Sequence, residues 1–189
     1  MVVIPVKCIV VGDSAVGKTA LIQSFLSDGT AFSKIYNMTL GTEVCNKIFS
    51  LDNDNSKSVD FFIFDNASHD VFKDVTEVHW EKLGMYIIVF DVTNKKSFTS
   101  CQKWLKSLKQ YCEPDKTIPG VLIGNKADLE QRRKVTTEEA RIFAATNFLT
   151  YFESSAKEHT GVNDTFRHLS EKAFTLHQDD PNLVQLLEH

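Results

Sequence analysis

Gly12-Asp13-Ser14-Ala15-Val16-Gly17-Lys18-Thr19 fits the pattern G-x-x-x-x-G-K-[ST]. It follows the apolar run Val6 to Val11 and leads into Ala20-Leu21-Ile22, so a strand precedes it and a helix follows. Such a loop turns successive backbone N–H groups and the positive end of the helix toward phosphate oxygens. Lys18 adds a point charge for the outer phosphates, and the Thr19 hydroxyl suits Mg²⁺. The expected cradle comprises Asp13, Ser14, Ala15, Val16, Gly17, Lys18, Thr19 and Ala20.

Outward from this loop, apolar runs recur at Val59 to Phe64, Tyr86 to Phe90 and Val121 to Ile123, separated by segments of helical period. That alternation predicts parallel strands joined by crossover helices. A strand from about Glu43 to Leu51, closed by the polar turn Asp52-Asn53-Asp54-Asn55-Ser56, predicts one antiparallel edge strand. Ser97 is the expected cap of a helix whose inner face carries Phe98, Cys101, Trp104, Leu105 and Leu108. Thr136 with Glu139 reads as a capping box, and Val162, Phe166, Leu169, Ala173 and Leu176 mark a last amphipathic helix. Asp65 ends one of the strands at the carboxyl edge, where open α/β sheets hold ligands, and is the candidate carboxylate for Mg²⁺.

The length of 189 residues predicts one core, with a domain over residues 1–177 and a separable tail over 178–189. A net charge of -4 gives no basic field for nucleic acid or an acidic membrane. Cys8, Cys45, Cys101 and Cys112 form no CxxC pair, which points to a reduced, cytoplasmic protein with Cys8 and Cys101 as buried thiols. No apolar run reaches membrane-spanning length; Val2 in place of glycine and the absence of a late cysteine argue against a lipid anchor. Leu187-Glu188-His189 also matches the opening of an expression tag, which leaves the native C-terminus open.

Asn125-Lys126-Ala127-Asp128 and Ser154-Ser155-Ala156-Lys157 complete a set. In this order after the phosphate loop, they resemble the small GTPases of the Ras superfamily, from about Val6 to Leu176. The resemblance implies an α/β P-loop fold: a mostly parallel sheet of about six strands with one antiparallel edge strand and helices on both faces. It implies GTP or GDP with Mg²⁺. Asp128 accepts two hydrogen bonds from the guanine edge, Asn125 braces the loops and the Lys126 stem lies along the base. Ser155 and Ala156 offer amides to the guanine oxygen beside Lys157, and Phe32 flanks the base. Thr39 joins Thr19 and Asp65 at the metal and senses the γ-phosphate. GDSAVGKT, the run Asp91 to Asn94, and Ser97-Phe98 are Rab-like; Lys7-Cys8-Ile9, Ser27-Asp28-Gly29, Phe62 to Asp65 and Pro119 to Leu122 are similar to the Rab-like subunits of the intraflagellar transport B complex. That resemblance implies work in a cilium or flagellum, with other subunits of the complex and a small β-sandwich protein as partners, alongside exchange and activating proteins.

One departure stands out. After the metal aspartate most small GTPases carry x-x-Gly-Gln, where this chain has Asn66-Ala67-Ser68-His69. Ser68 adds a Cβ where a glycine backbone swings onto the γ-phosphate, and His69 replaces the amide that orients the attacking water. Ser68 and His69 are therefore the candidate catalytic positions, and slow hydrolysis is expected. Two other readings follow from the same residues: a pseudo-GTPase adaptor without turnover, or a vesicle-traffic Rab.

Overall fold

The computed structural model describes residues 2–31, 38–52, 56–112 and 118–179. In chain order the elements are β1 (Val2–Val11), α1 (Lys18–Leu26), β2 (Thr42–Ser50), β3 (Lys57–Asn66), the short α2 (Lys73–Glu77), β4 (Met85–Asp91), α3 (Lys95–Lys109), β5 (Gly120–Asn125), α4 (Thr137–Thr146), β6 (Thr150–Glu153) and α5 (Val162–Asp179). The strands form one sheet in the order β2-β3-β1-β4-β5-β6. Only β2 runs antiparallel to its neighbour; every other pair is parallel, as crossover helices require.

Both faces of the sheet are covered, and β1 shows why its apolar run is continuous. Val6, Cys8 and Val10 point into the core under α1 and α5, while Ile9 and Val11 point into the core under α3 and α4. In the first core Phe25 of α1 stacks on Phe166 of α5 with ring centroids 3.5 Å apart, and Phe61 meets both rings edge-on. In the second, Phe98, Cys101, Leu105 and Leu108 of α3 are buried against β4 and β5. All four cysteines are free, and burial pushes the Cys8 and Cys101 thiols up, so they behave as small apolar groups.

The sheet and its amphipathic helices follow the apolar pattern, but one cap does not. Asn94, not Ser97, caps α3: its Oδ1 accepts from the Lys96 N–H at 3.1 Å. Ser97 lies buried in the first turn, where its Oγ donates to the Asn94 carbonyl and accepts from the Asp91 N–H. Either residue type can cap, so the choice fell to the β4 end, which needed a buried hydroxyl. At α4, Thr136 accepts from the Glu139 N–H at 3.2 Å, and the Glu139 carboxylate pairs with Lys95 on the neighbouring helix.

β1 has β3 on one side and β4 on the other, so chain order reverses at its carboxyl end. An open α/β sheet forms its ligand crevice at such a point, and there the loop 12–17 lies.

Candidate functional site

Two glycines let the loop after β1 close on its neighbours. Gly12 has φ 147°, and a Cβ there would stand 2.1 Å from the Val89 carbonyl oxygen. Gly17, at φ 95°, would bring a Cβ to 2.4 Å from Asn125 Nδ2. Neither position admits a side chain without moving a strand or the loop after β5. Among the described residues, the backbone N–H groups of 14–20 donate to no acceptor. They form a row of free donors at the start of α1, the arrangement that suits an anion.

Lys18 is only 7% exposed, and its three donors are all taken. Nζ donates to the Gly12 carbonyl at 3.0 Å, to the Asp13 carbonyl at 3.2 Å and to Ser68 Oγ at 2.5 Å. Burial lowers its ammonium to about 8, against the pull of the Asp65 and Asp13 carboxylates.

Thr19, Thr39 and Asp65 converge from three elements of the chain. Thr19 Oγ1 donates to Asp65 Oδ2 and lies 3.0 Å from Thr39 Oγ1. Asp65 is 3% exposed, and its Oδ1 is buried with no hydrogen-bond partner among the described residues. Burial pushes its carboxyl up; the Thr19 hydrogen bond and the Lys18 charge oppose that shift. A buried carboxylate oxygen without a partner is costly unless a cation meets it. One carboxylate and two hydroxyls are hard oxygen donors, which fit Mg²⁺ completed by phosphate and water. No cluster of three His, Cys, Asp or Glu side chains occurs among the described residues, so a transition-metal centre has no support there.

The opposite end of the crevice is built on β5 and the loop after β6. Asn125 is 1% exposed and joins the loops: Nδ2 donates to the Val16 and Gly17 carbonyls, and Oδ1 accepts from the Ala156 N–H and Ser154 Oγ. Lys126 reaches across to the first loop, donating to the Ala15 carbonyl at 2.7 Å and pairing with Asp91 at 2.6 Å. Its stem thereby forms a wall between the two loops. Ser155 Oγ donates to Asp128 Oδ1 at 2.7 Å, which fixes the carboxylate, and Lys157 Nζ stands 3.8 Å from Asp128 Oδ2.

Ser68 and His69 part company. Ser68 is held against Lys18, whereas His69 is exposed and its Nδ1 accepts from the Val71 N–H at 3.3 Å, inside its own turn. Phe32 lies outside the described residues.

Three further residues belong to this site. Asp91 anchors Lys126 and also accepts from the Thr93 N–H and hydroxyl. Trp104 of α3 donates from Nε1 to Asp13 Oδ1 at 2.8 Å, which fixes that carboxylate of the phosphate loop against α3. Asn66 is 1% exposed and uses both ends of its amide: Nδ2 donates to the Val10 and Phe64 carbonyls, and Oδ1 accepts from Thr42 Oγ1 and Trp80 Nε1. Asp91 and Asn66 each stand at a strand's carboxyl end beside a motif, which is the signal that could have found them; Trp104 read only as part of an apolar stripe.

Comparison with known proteins agrees with this geometry. A model of the Ras family matches residues 7–175. Intraflagellar transport protein 27 homolog of Bos taurus is 40% identical over 187 residues, covering 99% of this chain and 100% of the relative. Intraflagellar transport protein 27 of Chlamydomonas reinhardtii is 40% identical over 153 residues, 79% of this chain and 74% of that protein. Ras-related protein Rab-2B of Dictyostelium discoideum is 35% identical over 178 residues, 94% and 85% of the two chains. With the phosphate loop, the oxygen cluster around Asp65 and the Asn125 to Asp128 loop arranged on this sheet, the chain belongs to the Ras family.

Proposed function

We propose that the protein is a guanine-nucleotide switch that binds GTP or GDP with Mg²⁺, hydrolyses GTP slowly, and serves as a Rab-like subunit of an intraflagellar transport complex in cilia or flagella. The observation that carries the nucleotide reading is the pairing of free loop amides with the unpartnered Asp65 Oδ1. The amides of 14–20 and Lys18 receive the phosphates, and Thr19, Thr39 and Asp65 hold the metal. When bound, Mg²⁺ supplies neutralisation of the phosphate charge. Asp128, steadied by Ser155, would accept from the guanine edge, with the Lys126 stem along the ring and the Ser155 and Ala156 amides toward its oxygen. The intraflagellar placement rests on the names of these relatives, the Bos taurus one matched over nearly the whole of both chains; other subunits of the complex, and a small β-sandwich protein as partner, follow from the family resemblance alone.

Slow turnover rests on Ser68 and His69, the first fixed on Lys18 and the second folded into its own turn. The same observation favours the second reading, an adaptor that holds nucleotide without turnover. Phosphate release from GTP-loaded protein in excess Mg²⁺ distinguishes them: slow release supports the switch, and none over days the adaptor.

Base recognition is tested by Asp128→Asn, which exchanges an acceptor for a donor at the ring edge. The variant should lose affinity for GDP by about 100-fold or more and gain affinity for xanthosine diphosphate. Unchanged GDP affinity by calorimetry would remove Asp128 from the base site.

A further inference from the structure

Lys18 has three donors, and Ser68 holds one of them. The other two partners are carbonyls of the lysine's own loop, so Ser68 Oγ is the one side chain the ammonium binds through a hydrogen bond among the described residues. Ser68 belongs to the segment after β3, 50 positions away in sequence. Its hydroxyl therefore ties that segment to the phosphate loop through the one cation the phosphates would use.

We propose that the Ser68 hydroxyl competes with the terminal phosphate for Lys18, and so tilts the nucleotide preference of this protein toward the diphosphate. The inference rests on the nucleotide-site reading above. A lysine at this place in the loop reaches the β- and γ-phosphates. A diphosphate asks it for one new hydrogen bond, which it can supply by releasing the longer contact to the Asp13 carbonyl at 3.2 Å. A triphosphate asks for two, and Ser68 must then be displaced, because the Gly12 carbonyl belongs to the loop's own turn. Hydrogen bonds to an ammonium are among the stronger ones, and this one is partly buried, so its loss is felt. A glycine at 68 would leave the lysine free for either ligand. The substitution therefore changes which nucleotide is favoured through its oxygen, in addition to any effect of its Cβ on the backbone.

The consequence extends to the cleft beside Ser68. Ala67, Ser68, Trp80 and Trp104 line it between the segment after β3 and α3, and Trp104 also holds Asp13. Displacing Ser68 from Lys18 frees one wall of this cleft, so the segment 67–72 loosens when the triphosphate enters and is held when the diphosphate is bound. This order is opposite to that of a switch whose glycine is pulled in by the γ-phosphate.

The test compares wild type, Ser68→Ala and Ser68→Thr for GDP and a non-hydrolysable GTP analogue, by displacement of a fluorescent nucleotide in excess Mg²⁺. Ser68→Ala keeps the Cβ and removes the oxygen; Ser68→Thr keeps both. The ratio of triphosphate to diphosphate affinity should rise about tenfold in Ser68→Ala and stay within about twofold of wild type in Ser68→Thr. Amide exchange of residues 67–72 in the GDP-loaded protein should be faster in Ser68→Ala than in wild type. A ratio unmoved or lowered in Ser68→Ala, with wild type binding both nucleotides, overturns the competition and leaves the site reading intact. A wild type that binds neither overturns both.

Discussion

Ser68 and His69 take the sequence positions of the family's glycine and glutamine, and the catalytic role proposed for these positions asks them to place water against the terminal phosphoryl group. Ser68 is committed to Lys18, and His69 offers an imidazole whose Nδ1 already accepts from its own turn. Phosphoryl transfer asks the protein chiefly for positioning and charge, so displacing the water-orienting group is expensive. Unaided hydrolysis should fall at or below about 3–5 × 10⁻⁴ s⁻¹, the rate of a Ras protein that has its glutamine. Ser68→Gly with His69→Gln should raise single-turnover hydrolysis on the order of tenfold, about 1.4 kcal/mol of barrier, with GDP affinity kept within a few-fold. Phosphate release from preloaded protein in excess Mg²⁺ measures it. A double variant no faster than wild type would place the limit elsewhere.

At the scale of elements, the loops depend on joints that tie helix to strand. The one between β6 and α4 is polar: Arg133 holds the Glu153 carboxylate with two nitrogens at 3.0 and 2.9 Å, and Thr137 and Tyr151 hydroxyls donate to the same group. β6 leads directly into the Ser154 to Lys157 loop, so this cluster sets where that loop begins. Burial raises the Glu153 carboxyl, but the hydrogen bonds from Arg133, Thr137 and Tyr151 outweigh it and hold the group below the ordinary 4.5. A carboxyl lowered in the folded state contributes stability above its ordinary value, and that contribution fades as pH falls through the folded value. Glu153→Gln should therefore lower stability by about 1–2 kcal/mol near neutral pH, a figure kept small because the group is partly open to solvent. The gap in Tm between wild type and variant should close below pH 4.5. An equal gap at acid and neutral pH would show that the charge is not what matters.

The same scale separates what could be read along the chain from what could not. Strands announce themselves by continuous apolar runs because both faces of the sheet are covered, and the antiparallel β2 by its polar turn and its place before a second run. Asn125, Asp128 and Thr19 were picked out by fixed offsets within local motifs, and Asp65 by its place at a strand's carboxyl end. Ser68 against Lys18, Trp104 against Asp13 and Asp91 against Lys126 join residues 50, 91 and 35 positions apart, as their numbers give, and no spacing rule encodes such pairs. The α3 cap failed for a related reason: Asn94 and Ser97 are both good caps, and the choice between them was made by the strand end that buried Ser97.

The whole molecule is a sheet with a core on each face, and the site lies along one edge where both cores end. The core under α1 and α5 is centred on Phe25, Phe61 and Phe166, in mutual contact and each fully buried. Removing the central ring by Phe166→Ala leaves a cavity that these neighbours cannot fill without leaving their rotamers, at a cost of about 3–5 kcal/mol. Val16 of the phosphate loop packs at the end of this core, while the lysine stands further off: Phe25 lies seven residues along α1 from Lys18, roughly 10 Å at the helical rise. Effects of sites that far apart add, so the variant should bind GDP with near wild-type affinity while folded. Ligand linkage then sets the outcome. GDP at about a thousand times its Kd contributes about 4.1 kcal/mol to the folded state, enough to offset most of the cavity. Phe166→Ala should accordingly unfold in one transition at a much lower Tm than wild type without added nucleotide, and recover most of the difference in excess GDP and Mg²⁺. Chelating Mg²⁺ with EDTA should erase much of that recovery, because the oxygens of Thr19, Thr39 and Asp65, proposed above as the metal ligands, would then have no cation to hold. Thermal unfolding of both proteins under the three conditions measures it. A GDP-dependent gain in stability that differs between wild type and Phe166→Ala by more than about 0.5 kcal/mol would mean that the aromatic core and the nucleotide edge are coupled rather than additive.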